Sequence, residues 1–177
     1  MQESTTRIQR AKDLARQLLD TVGYEMPVDV VRIAENRGLV IRSQPLEDTV
    51  SGMLVIKDGR TIIGINESHH PNRQRFSIAH ELGHYLLHRE QSSVFIDAVY
   101  YRDQTSSEGS RAQEIEANAF AAELLMPERV VREHFERQDM DMVDDVAIRR
   151  LASRWEVSAQ ALTIRLTSLG LITVDSL

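Results

Sequence analysis

The chain has no cysteine among its 177 residues. That excludes disulfides, thiol nucleophiles and every zinc site with a sulfur ligand, and it suits a reducing compartment. Long apolar runs are also missing. Stretches such as residues 54–56 last a few positions, whereas a membrane span needs about 20. The opening residues MQESTTRIQR are polar and charged, without the apolar stretch of a secretory signal. These absences predict a cytoplasmic protein that does not engage a membrane. Basic residues are outnumbered, 21 against 27 acidic, for a net charge of −6, which excludes a surface that binds nucleic acid over its whole extent. No internal repeat and no low-complexity segment is visible.

What is present is ordinary for one compact domain: 42% hydrophobic and 27% charged residues. Residues 4–22 carry Ile8, Ala11, Leu14, Ala15, Leu18 and Leu19 at helical spacing, with Gly23 as a stop. Pro27 is expected to open a second short helix that ends near Gly38, followed by a strand at 39–43. Residues 50–66 read as a β-hairpin turning on Asp58-Gly59. Helices are expected at 73–88, 110–125, about 128–137 and about 146–169. Residues 89–109 show only a strand fragment and a loop, and 171–174 read as a strand-like tail. Helices, then a small sheet, then helices make an α+β order. The expected organisation is a core over 1–138, an acidic linker at 139–145 and a small C-terminal helical segment over 146–177.

The helix at 73–88 contains His80-Glu81-Leu82-Gly83-His84, an H-E-x-x-H pattern. Side chains four apart leave one helix face together, so both imidazoles can reach one ion. Glu81, next to the first histidine, can approach a water on that ion and accept its proton as the water attacks a peptide carbonyl. The helix around it is largely apolar, and a buried glutamate between two histidines is costly without a metal or partner. Gly83 costs about 1 kcal/mol relative to alanine in a helix interior, which suggests close approach by another backbone. His88 stands four residues after His84 but has no acid behind the first histidine of that register; it is expected to sit behind the metal or at the helix end. A catalytic zinc takes three protein ligands and an open position. Without cysteine the third is expected to be a carboxylate from residues 110–125. Glu114 is better placed than Glu116, and Asn118, four residues on, can orient an imidazole through its second nitrogen. His69 and His70 fall in a polar loop, and His134 on a mixed-charge helix where it is expected to be solvated. Tyr100, Tyr101 and His134 are candidates to steady an oxyanion. Zinc is the expected ion, although two imidazoles and a carboxylate also accept Mn2+ or Fe2+.

The pair RFSIAHELGHYLLH and EIEANAFAAELLMP resembles the ImmA/IrrE family of metallo-endopeptidases, as do VDVVRIAENRGLVIRS before them and RRLASRWEVSAQALTIRLTSLGLI after. The resemblance implies a gluzincin-like core with His80, His84 and Glu114 on zinc and a narrow protein substrate, typically a helix-turn-helix repressor whose cleavage switches on genes. Residues 146–170 hold Arg149, Arg150, Arg154 and Arg165 against Glu156 alone, a local charge of +3. Their pattern breaks near Ser158, a candidate cap, giving a helix-turn-helix outline. Packing or substrate docking is the favoured reading of this segment over DNA binding. Two other readings of the whole chain stand beside the enzyme: a DNA-binding regulator with an inactive metal site, and an interaction protein of the toxin–antitoxin kind.

Overall fold

The computed structural model describes residues 2–98, 108–136 and 145–173. Its order is α1 (Gln2–Val22), α2 (Val30–Glu35), β1 (Leu39–Gln44), β2 (Val50–Lys57), β3 (Arg60–Asn66), α3 (Pro71–His88), β4 (Val94–Ala98), α4 (Glu108–Leu125), α5 (Glu128–Glu136), α6 (Asp145–Arg154) and α7 (Ala159–Ser168). This is a mixed α+β chain with one four-stranded sheet in the order β1-β3-β2-β4. β1 runs parallel to β3, while β2 is antiparallel to both β3 and β4.

The hairpin turns at the expected place. Asp58 and Gly59 both adopt positive φ, 50° and 72°, the conformation an Asp-Gly turn supplies. Alternation along β2, β3 and β4 sends Leu54, Ile63 and Phe95 into the core. Helix α3 lies against β2 and β3 on one side and against α4 on the other, and α1 packs on α4. That position explains why α3 is apolar nearly all round: the run from Ser77 to His84 is buried, as is His88.

Two expectations shift. Pro27 does not open α2. The helix starts at Val30 because the Asp29 side chain caps it, accepting from the Arg32 amide at 3.0 Å. Residues 171–173 bend without forming a strand, while residue 174 and the linker at 139–144 lie outside the described residues. The helical pattern at 146–169 is two helices that break where the sequence breaks its pattern, at Ser158. Ser158 caps α7, its hydroxyl accepting from the Ala161 amide at 3.0 Å. Both pack on the core: the Asn72 side-chain amide donates to the Val157 carbonyl at 2.8 Å, and Arg75 pairs with Glu156 at 3.2 Å. No described helix is long and apolar enough to cross a membrane.

Candidate metal centre

Helix α3 starts where the sequence favours it. Pro71 occupies its first turn, where a missing N–H costs nothing, and the His70 ring accepts from the Asn72 amide at 3.2 Å. From that start the helix projects His80 and His84 from one face, with Nε2 atoms 3.0 Å apart and rings edge to face. Phe95 of β4 stacks on the His84 ring at 4.7 Å and fixes its plane. Helix α4 brings the third group. Glu114 places Oε2 3.2 Å from His80 Nε2 and Oε1 3.1 Å from His84 Nε2.

The second nitrogen of each imidazole is also engaged. His80 Nδ1 lies 3.1 Å from Asn118 Oδ1, so the ring donates there and can offer its Nε2 lone pair to an ion. His84 Nδ1 lies 3.2 Å from His88 Nδ1. Helix α4 can approach this closely because Gly83 has no side chain. A Cβ there would stand 3.1 Å from the Phe120 ring and 3.3 Å from the Ala117 Cα.

Glu81 is completely buried. Neither carboxylate oxygen accepts a hydrogen bond from a described residue. Its Oε1 lies under Gly52 of β2, where a Cβ would come within 3.2 Å. Burial pushes its carboxyl up to about 8; the His80 charge opposes this, and the charges of Asp97 and Glu114 add to it. Burial also acts to lower both ligand-like histidines. At His84 it prevails and the shift is downward, whereas at His80 the Glu114 hydrogen bond and the charges of Glu81, Asp97 and Glu114 together outweigh it and the shift is upward. Burial alone would raise Glu114, but hydrogen bonds from His80 and His84 hold it well below the usual carboxylate range.

His80, His84 and Glu114 are the described His, Asp and Glu residues whose ligand atoms converge on one point, all within 4.8 Å of one another. The donor set fits a small divalent ion. Four-coordinate zinc with bonds of about 2.0–2.1 Å spaces its ligands about 3.3 Å apart, and the three separations here are within a few tenths of that. A buried carboxylate that meets no hydrogen-bond donor among the described residues, set beside that group, is costly unless a cation or a proton offsets its charge.

Other predicted residues fall elsewhere. His134, expected to be solvated, is half-buried: its ring meets Trp155 edge-on at 5.6 Å, in a crevice lined by residues of α5 and α6. Tyr100 and Tyr101 lie outside the described residues. Asp97 was not singled out by sequence reasoning, yet it is buried and its charge acts on both Glu81 and His80. The signal was Phe95 and Asp97 at alternate positions of a short strand, both on the inward side.

Comparison with known proteins points the same way. The family model for the IrrE N-terminal-like domain, peptidase M78, matches residues 34–167. The chain is 36% identical over 109 residues to the radiation response metalloprotease IrrE of Deinococcus radiodurans, a match that covers 60% of this chain and 30% of that protein. A solved structure of a Mycobacterium tuberculosis transcriptional regulator shares the fold, with a TM-score of 0.63 at 21% identity over 90% of this chain and 46% of that one. The chain therefore spans less than half the length of either.

Proposed function

Since the chain belongs to the ImmA/IrrE family, whose IrrE N-terminal-like domain is that of peptidase M78, we propose that it is a single-zinc endopeptidase with Glu81 as its general base. His80, His84 and Glu114 would hold the ion in a gluzincin-like core. A divalent ion held there would lower the pKa of a bound water to roughly 7 and polarise a peptide carbonyl. The chain's residues do the rest. Asn118 keeps the His80 proton on Nδ1 and so leaves Nε2 bare. Glu114 contributes one negative charge. Glu81 takes the proton of the attacking water and passes it to the departing amine. Burial raises this carboxyl in the metal-free protein, and the charge of a bound ion would draw it down toward the neutral range that suits a base which must return its proton.

The observation that carries this reading is Glu81 itself, a fully buried carboxylate that meets no hydrogen-bond donor among the described residues, set beside the converging imidazoles and Glu114. We infer a narrow protein substrate, a helix-turn-helix repressor, from the family resemblance, and a division into a 1–138 core with a helix-turn-helix-like 146–177 segment that helps dock it. Manganese or iron could replace zinc in the same donor set.

A second reading, a DNA-binding regulator, draws on the exposed Arg149, Arg150 and Arg154 of α6. Arg149 is already paired with Asp145 at 3.7 Å and Arg165 is buried, which leaves little free positive charge. The test is Glu81→Gln, with bound zinc measured beside turnover of a co-expressed candidate repressor. The variant is expected to retain one zinc per chain and to lose cleavage by about 10²- to 10⁴-fold. Unchanged turnover would overturn the enzyme reading, and salt-sensitive DNA binding by both forms would favour the regulator.

A further inference from the structure

His80 and His84 are backed differently. Asn118 meets His80 directly, whereas His84 is backed by a chain of two groups. His84 Nδ1 lies 3.2 Å from His88 Nδ1, and His88 Nε2 lies 3.2 Å from Glu116 Oε2. The other Glu116 oxygen meets Arg7 at a long 3.5 Å. His84, His88 and Glu116 are 1%, 2% and 9% exposed, so water is not an easy substitute for any link.

Two Nδ1 atoms can share a hydrogen bond only if one of them carries the proton. A metal on His84 Nε2 needs the lone pair there, so the proton must sit on His84 Nδ1, with His88 Nδ1 as acceptor. A neutral His88 then carries its own proton on Nε2, which faces Glu116 Oε2. Each link has one donor and one acceptor, and the anionic end fixes the direction. With the tautomers reversed, His88 would donate from Nδ1 and push the His84 proton onto Nε2, where the metal binds. The reversed arrangement also sets the bare His88 Nε2 against a carboxylate that donates nothing.

We propose that Glu116 and His88 are positioning residues that lock His84 in the tautomer able to bind metal. The assignment rests on reading His80, His84 and Glu114 as the metal site. It gives α4 two separate tasks two residues apart: Glu114 faces the ion, and Glu116 reaches the far side of His84 through His88.

The test compares Glu116→Gln and His88→Gln with the full wild-type chain. Zinc affinity is measured by chelator competition, and the His84 tautomer by 15N NMR of the metal-free protein. The isosteric Glu116→Gln keeps its shape but can present a donor to His88. Both variants are expected to bind zinc 10- to 100-fold more weakly, with His84 shifted toward a proton on Nε2. Arg7→Ala, which removes the other partner of Glu116, is expected to bind zinc as the wild type does. Folded variants with zinc affinity within about threefold of wild type and an unchanged His84 spectrum would overturn the proposal. His80→Ala and Glu114→Ala separate the two levels of the argument. If these lose zinc while Glu116→Gln and His88→Gln keep it, the metal site stands and the positioning role falls. If these too bind zinc normally, the site assignment falls and takes the positioning role with it.

Discussion

Glu81 shows how one residue can set the pH behaviour of the metal-free protein. Its carboxyl moves from an ordinary 4.5 to about 8 because burial disfavours the charge, with Asp97 and Glu114 nearby. The folded value lies above the unfolded one, so this group favours folding most below pH 4.5, and that contribution is lost as pH rises through about 8. Glu81→Gln removes the charge without changing the shape. In chelator-treated protein it should raise stability at pH 8.5 by on the order of 2–4 kcal/mol and change little at pH 4.5. Urea denaturation of both proteins at both values checks this; a stability gain independent of pH would contradict it. At this scale the sequence was legible where spacing within one helix carried the information, as for His80, Glu81 and His84. It was illegible for His88. The interval from His84 was visible, but its meaning depends on Glu116, which arrives from another helix.

Pairs of elements explain what single residues do not. The close approach expected at Gly83 is made by α4, whose Phe120 ring and Ala117 backbone would have to give by a few tenths of an ångström to admit a methyl group. Gly83→Ala would gain about 1 kcal/mol of helix propensity. Overpacking against α4 costs typically 1–3 kcal/mol, so a net loss of up to about 2 kcal/mol is expected. The same shift would move Glu114 and Asn118 away from the histidines, so zinc affinity should fall together with the melting temperature. A variant of full stability and full zinc affinity would mean that α4 can recede without consequence. The helix bearing Glu114 was readable from its period and the Met126-Pro127 stop. The pairing of β2 with β4 was not, because residues 89–109 lack a pattern long enough to declare a strand. The start of α2 was misplaced because Asp29 offers its own capping oxygen two residues after the proline.

At the scale of the whole molecule, charge turns out to be internal as well as superficial. Arg165 counts toward the local +3 of the C-terminal segment, yet it is 4% exposed. It pairs with Glu123 of α4, itself 1% exposed, and donates to the Met126 carbonyl at 3.0 Å. Glu123 also accepts from Arg16 of α1 at 3.0 Å, and Arg16 reaches Glu128 of α5 at the same distance. One buried acid thus ties α1, α4 and α7 together, and Arg16 brings in α5. Composition cannot reveal this, because a count of arginines does not say which of them faces inward. Removing one partner of a buried pair strands the other charge at a cost of about 3–5 kcal/mol. Arg165→Ala is expected to lose that much, slightly relieved because Arg16 remains beside Glu123. Arg165→Met combined with Glu123→Gln should lose less than the single change, since no uncompensated charge is left inside. Denaturant unfolding of the two variants decides the matter. A single variant as stable as wild type would show that α7 rests on the core through its apolar face alone, with the ion pair contributing nothing to its seating.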